Sequence, residues 1–176
     1  MMSEEEFCRM IEKDYIYYMY KAKRGYPFDC HTSANLISSY LTVHFNKKFI
    51  HRTFKFREFI HGWTKGENIC IDFTGIQFNL GPDREKFINL SKSLNKDEVF
   101  EITQKHRIEN PLTSSEDMDD LYYPGEFGNE PLYGLEYAKK VNNPYHIDSF
   151  MAYVKEAYEE VNRKVNDCYT VNYPVK

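Results

Sequence analysis

Residues 61–72, His61-Gly62-Trp63-Thr64-Lys65-Gly66-Glu67-Asn68-Ile69-Cys70-Ile71-Asp72, read as two antiparallel strands joined by a tight turn. Gly66 and Glu67 take the central positions, and glycine at the first of them suits a type II′ turn, which needs φ > 0 there. The implied register pairs Lys65 with Asn68, Trp63 with Cys70 and His61 with Asp72. Directly opposed residues project to the same face with Cβ atoms roughly 5 Å apart. The carboxylate of Asp72 is therefore expected within hydrogen-bonding reach of the His61 imidazole.

The flanking elements build outward from this hairpin. Upstream, Asp29 is a natural N-cap for a helix from about Cys30 to Phe45. On that helix Cys30, Ala34, Ile37 and Leu41 recur at i, i+4, i+7 and i+11, one buried stripe with the cysteine at its N-terminal end. Residues 48–57 read as a strand in which Phe54 and Phe56 alternate with Thr53, Lys55 and Arg57. Phe73–Phe78 is expected to prolong the second hairpin strand, and Pro82-Asp83 marks its exit. At the start of the chain, Ser3 and Glu6 form a capping box for a helix over Ser3–Lys23, which Gly25-Tyr26-Pro27 ends. Further helices are expected over Lys96–His106, Leu135–Val141 and Asp148–Val165, with a long loop over 110–134. The fold class is α+β, as a single domain over residues 1–176. Its core covers about residues 26–80, followed by a helical and loop extension over about 83–176.

Bulk properties narrow the function. A formal net charge of −4 argues against general nucleic-acid binding, which shows a basic excess. Lys47, Lys48, Arg52, Lys55 and Arg57, interleaved with phenylalanines, read instead as the solvated basic face of an amphipathic strand. No apolar run reaches the roughly 20 residues that span a bilayer, and the acidic start Met1–Glu6 has no signal-peptide character. Four scattered cysteines, Cys8, Cys30, Cys70 and Cys168, suit a reduced cytoplasmic protein rather than a disulfide framework. His44, His51, His106 and His146 share no ligand spacing with them, so neither metal nor cofactor is expected. Asp117, Asp119 and Asp120 lack the glycine and terminal glutamate of a calcium loop. Leu121–Gly128 suits a lid over a cleft or a packed Ω-loop.

A helix-borne Cys with an oriented His and an Asp are the parts of a thiol nucleophile site. The helix N-terminus and a neighbouring imidazolium both lower a thiol pKa. The N–H of Cys30 would face an oxyanion on an attacked carbonyl. His61 would serve as base and then as acid, and Asp72 would hold its tautomer. The plainer reading is a small buried Cys and a satisfied polar pair.

The order Asp29-Cys30-His31-Thr32-Ser33-Ala34-Asn35-Leu36, then His61-Gly62-Trp63, then Ile71-Asp72-Phe73-Thr74-Gly75-Ile76-Gln77-Phe78 resembles the core of the transglutaminase-like branch of the papain-fold cysteine enzymes. The resemblance covers less than a third of the chain. It implies a papain/transglutaminase-like core with Cys30 as nucleophile, His61 as base and Asp72 as orienter. The corresponding activity is that of a peptidase, glutamine deamidase or transglutaminase acting on a peptide or protein amide through a thioester. A catalytically inactive scaffold that binds or regulates another protein is the alternative. Trp63, Gln77 and His31 are further candidates, for substrate binding, for the oxyanion hole or, in His31, for tuning the thiol. No glutamine precedes Cys30 to fill the oxyanion role that one has in papain-type peptidases.

Overall fold

The computed structural model describes residues 2–22, 29–56, 59–78, 84–106, 112–113, 129–141 and 147–172. Helix α1 spans Glu4–Lys21 and opens on the expected capping box, with Ser3 and Glu6 each bonding the other's backbone N–H. Such a box satisfies two of the orphan donors of the first turn and contributes about 1 kcal/mol. Helix α2 spans Cys30–Phe45, as its apolar spacing predicts. It ends on Asn46 in the left-handed region at φ 51°, a conformation Asn tolerates better than most residues. The strands β1 (Ile50–Phe56) and β2 (Phe59–Lys65) form one hairpin, and β3 (Cys70–Ile71) forms the next. A 3-10 turn (Gly75–Phe78), α3 (Arg84–Ser91) and α4 (Lys96–His106) follow. Two short strands, β4 (Leu112–Thr113) and β5 (Asn129–Glu130), precede α5 (Leu135–Val141) and α6 (Ile147–Asn172). The sheet is antiparallel throughout, in the order β4-β3-β2-β1-β5. The class is α+β.

Helix α2 is the centre of the molecule. Its stripe of Cys30, Ala34, Ile37 and Leu41 is buried, but so are Thr32, Ser33, Asn35, Ser38 and Ser39. A helix buried all round must satisfy its polar side chains internally. Towards the sheet, Ser38 Oγ donates to Thr64 Oγ1 at 3.0 Å, and that hydroxyl donates to Ala34 O at 3.0 Å. Towards the helices, Ser33 bonds Tyr15 at 2.6 Å, Thr32 donates to Asn162 at 2.8 Å, and Tyr153 Oη donates to Leu36 O at 2.8 Å. Around it, Ile11, Tyr15, Ile16, Leu36, Tyr40, Phe150, Tyr153 and Val161 share one apolar cluster. The C-terminal residues therefore complete the core that the segment 26–80 begins, rather than extending from it.

Several expectations are corrected. The second hairpin is offset by two residues: Lys65 pairs with Cys70 and Thr64 with Ile71, so neither Trp63 with Cys70 nor His61 with Asp72 are ladder partners. The loop is Gly66–Ile69, closed by Gly66 N–H donating to Ile69 O at 2.8 Å. Gly66 is required for space and not for a positive φ. A Cβ there would lie 2.8 Å from Phe49 Cε1 and 2.9 Å from Ile69 Cγ2. The strand expected over Phe73–Phe78 is a turn and then the 3-10 turn, because Asp72 Oδ1 accepts from Thr74 N–H and Thr74 Oγ1–H, both at 3.0 Å, and bends the chain. Asp29 does not cap α2: its side chain makes no cap hydrogen bond and accepts instead from Tyr158 Oη. On β1, Thr53 is buried together with His51, where the sequence suggests a solvated position. Helix α3 lies in a stretch too charged and mixed to read. The side chains of Phe54 and Phe56, the chain breaks at 25–27 and 82–83, the 117–120 acidic run and the 121–128 aromatic segment fall outside the described residues.

Candidate active site

The N-terminus of α2 and the middle of β2 bring Cys30, His31 and His61 together. Cys30 is buried, only 5% exposed, and both imidazoles act on its thiol. His61 Nε2–H donates to Asp72 Oδ2 at 2.8 Å, with both side chains buried. The Asp72 carboxylate is saturated, since its other oxygen accepts the two Thr74 donors. A carboxylate so held cannot rotate, and it fixes the imidazole proton on Nε2, leaving Nδ1 as the ring's second nitrogen. The register error did not separate the pair, because a shift of two residues preserves the face of every side chain. Asp72 steps out of the ladder just where β3 ends and reaches diagonally.

The electrostatics follow from this geometry. Burial alone would push the Cys30 thiol up, but the neighbouring His31 and His61 imidazoles hold it well below its ordinary 9.0. Burial likewise opposes a charge on His61, yet the Asp72 carboxylate, its hydrogen bond and Cys30 raise the imidazole from 6.5 to about 10. A thiolate beside an imidazolium is thus the favoured state at neutral pH. Helix polarity adds to it: the first N–H groups of an α-helix have no intrahelical acceptor, and no acidic residue stands in the first turn of α2.

Gln77 is placed by the 3-10 turn, and its Nε2–H donates to His61 Nδ1 at 2.9 Å. It therefore contacts the candidate base. A terminal amide has two ends of the same shape, so turning it presents Oε1 to a protonated Nδ1. Gln77 can accompany both protonation states of the ring. Trp63 is fully buried in the sheet, with Arg52 and Lys65 over its ring at 5.8 and 5.9 Å, which is a core placement. Cys70 and Cys8 are buried, and Cys168 lies at Glu130, at 3.7 Å.

Two buried groups beside the site escaped sequence reading. His51 Nε2 lies 3.3 Å from His31 Nδ1, and Asn35 Nδ2 lies 3.1 Å from His51 Nδ1. Burial and the neighbouring His31 and His61 hold His51 well below the usual histidine pKa, so it is neutral. The one available signal was Asn35, an i+5 polar residue on a helix that otherwise reads as buried.

Among the described residues no cluster of three His, Cys, Asp or Glu could hold a metal ion, and no helix is long and apolar enough to cross a membrane. A cleft of about 580 Å³ lined by Lys47, Lys48, Arg52, Lys65 and Glu67 lies at the far end of the β1–β2 hairpin, and none of the site residues lines it. Comparison with protein-family models, curated proteins and solved structures found no match.

Proposed function

We propose that this protein is a cysteine-dependent amide hydrolase or acyltransferase with a papain/transglutaminase-like core. The observation that carries this reading is a single buried imidazole, His61, set between the Cys30 thiol and the Asp72 carboxylate. In the reaction, Cys30 Sγ attacks the carbonyl carbon of a peptide or glutamine side-chain amide. The S–C bond forms as the carbonyl oxygen becomes an oxyanion near the start of α2. Collapse breaks the C–N bond, and the His61 imidazolium gives its proton to the leaving amine. Water or a second amine, deprotonated by His61, then attacks the thioester and releases the thiol. Asp72 keeps the ring in register throughout.

Reactivity of Cys30 tests the reading. Iodoacetamide near pH 6.5 is expected to label Cys30 ahead of Cys8, Cys70 and Cys168, with the rate lost in His61→Ala. If Cys30 labels no faster than an ordinary thiol, the catalytic reading fails. A second reading, that of a binding or regulatory scaffold, is favoured by one observation: Cys30 is only 5% exposed. A thiolate that is ionised by titration but closed to iodoacetamide at every pH would support the scaffold.

A further inference from the structure

We propose that Asn35, His51 and Gly62 form a second relay that holds His31 in the tautomer whose Nε2–H can donate to Cys30 Sγ, so that the nucleophile is flanked by two oriented imidazoles. The inference rests on Cys30 being the nucleophile and adds a thiolate-contacting residue, His31, with His51 and Asn35 as positioning residues.

The proton positions follow from groups that have no choice. Tyr133 N–H can only donate, and it points at Asn35 Oδ1 at 2.7 Å. Pro131 O can only accept, and Asn35 Nδ2 donates to it at 2.7 Å. The amide is thereby fixed end for end, which removes the usual ambiguity of an Asn side chain. Its second Nδ2 hydrogen points at His51 Nδ1 at 3.1 Å, so that nitrogen is the acceptor. The proton of neutral His51 must then sit on Nε2, which faces His31 Nδ1 at 3.3 Å. At the far side of His31, Nε2 faces Ile60 O at 3.2 Å, again an obligate acceptor, and so carries the proton. Every hydrogen bond runs one way: Asn35 to His51, His51 to His31, His31 to the carbonyl just before His61.

Gly62 makes the arrangement possible. A Cβ there would stand 2.6 Å from His31 Nδ1, 2.8 Å from His51 Nε2 and 3.0 Å from His31 Cα, which no side chain permits. The two rings meet over this glycine. The relay also spans the fold, joining α2 to β1, β2 and the segment after β5. With Nδ1 of His31 accepting from His51, Nε2–H is the ring's one donor, and in the proposal the thiolate shares it with Ile60 O as a three-centre bond. His61 can then keep its Nδ1 proton for the leaving group. Cys30 and His51 are titratable groups that meet His31 among the described residues.

The test combines ring ¹⁵N NMR of the intact chain with Cys30 alkylation over pH 5–10. Wild type is expected to show Nε2–H tautomers at both His31 and His51, and an Nδ1–H tautomer at His51 overturns the proposal whatever any variant does. His51→Leu, which fills the site but donates nothing, is expected to raise the pH midpoint of Cys30 alkylation by about one unit, a tenfold slower reaction below it. His51→Gln keeps one donor and one acceptor and is expected to restore the wild-type midpoint; a space-filling role would make Leu the better replacement and sinks the idea. The two readings separate cleanly. An unchanged midpoint in His51→Leu alongside a collapsed rate in His61→Ala refutes the relay and leaves the nucleophile standing. Equal, ordinary thiol midpoints in wild type and His61→Ala refute the nucleophile itself.

Discussion

Asp72→Asn should disable the site by moving one proton. In the native protein Asp72 Oδ2 accepts His61 Nε2–H, and Oδ1 accepts Thr74 N–H and Oγ1–H. The asparagine must keep its oxygen on the Thr74 side, because turning its NH₂ there would bury two opposed donors at about 1–3 kcal/mol. Its Nδ2–H then faces His61 Nε2, and the ring responds by carrying its proton on Nδ1. That nitrogen also faces Gln77, whose amide turns to accept from it, and it can no longer accept from the thiol, so the base is lost. The lost carboxylate also removes the charge that raises His61 to about 10. Without an imidazolium, Cys30 returns towards an ordinary pKa of about 8.5, at which about 1% is thiolate at pH 6.5. The hundredfold loss of thiolate is offset by about tenfold, since each thiolate is more nucleophilic at the higher pKa. Iodoacetamide labelling of Cys30 at pH 6.5 should therefore fall about tenfold, the two rates should cross near about pH 7.5, and the variant should be the faster above it. A pH profile superimposable on that of wild type would refute the assignment of Asp72 as the group that sets the tautomer.

Other outcomes follow from the same geometry. For His61, raised from 6.5 to about 10, the stabilisation is full below pH 6.5 and is lost as pH rises through about 10. For Cys30, depressed from 9.0, it is full above pH 9.0 and is lost as pH falls through the depressed value. Between pH 6.5 and 9.0 the folded pair and the unfolded pair each bind one proton, so urea midpoints should be level there and fall on both sides; Cys30→Ala should abolish the plateau. Gly62→Ala should destabilise by about 1–3 kcal/mol through overpacking, read from urea unfolding, since its Cβ meets both His31 and His51. Tyr153→Phe leaves the buried Leu36 carbonyl without its 2.8 Å donor and should cost about 1 kcal/mol in the same assay; no change would mean that this hydroxyl does not help to hold α6 on α2.

Local signals were legible wherever one periodicity ruled. The spacing of Cys30, Ala34, Ile37 and Leu41 places α2 correctly, and Ser3 with Glu6 marks the start of α1. Reading failed where two local preferences competed. Gly66 fits a type II′ turn, yet the packing of Phe49 and Ile69 against it selects a longer loop. Phe73–Phe78 reads as a continuation of the hairpin strand, but Asp72 captures Thr74 and turns the chain. Asp29 is a good N-cap by type, and a tyrosine 129 residues downstream takes its carboxylate.

The sequence by itself determined that a cysteine heads a buried helix and that a histidine and an aspartate share one face of a hairpin, because period and parity are properties of the chain alone. Parity survives a two-residue slip, which is why the His61–Asp72 contact stood while its register fell. Only the tertiary structure decided what surrounds the thiol. The approach of α2 to β2, Gln77 on the imidazole and the Asn35–His51–His31 relay all depend on elements far apart in the chain, and no local pattern encodes the distance between them. The C-terminal helix is the clearest case: nothing in residues 147–172 mentions Cys30, yet through Tyr153, Tyr158 and Asn162 it holds the helix on which that cysteine stands.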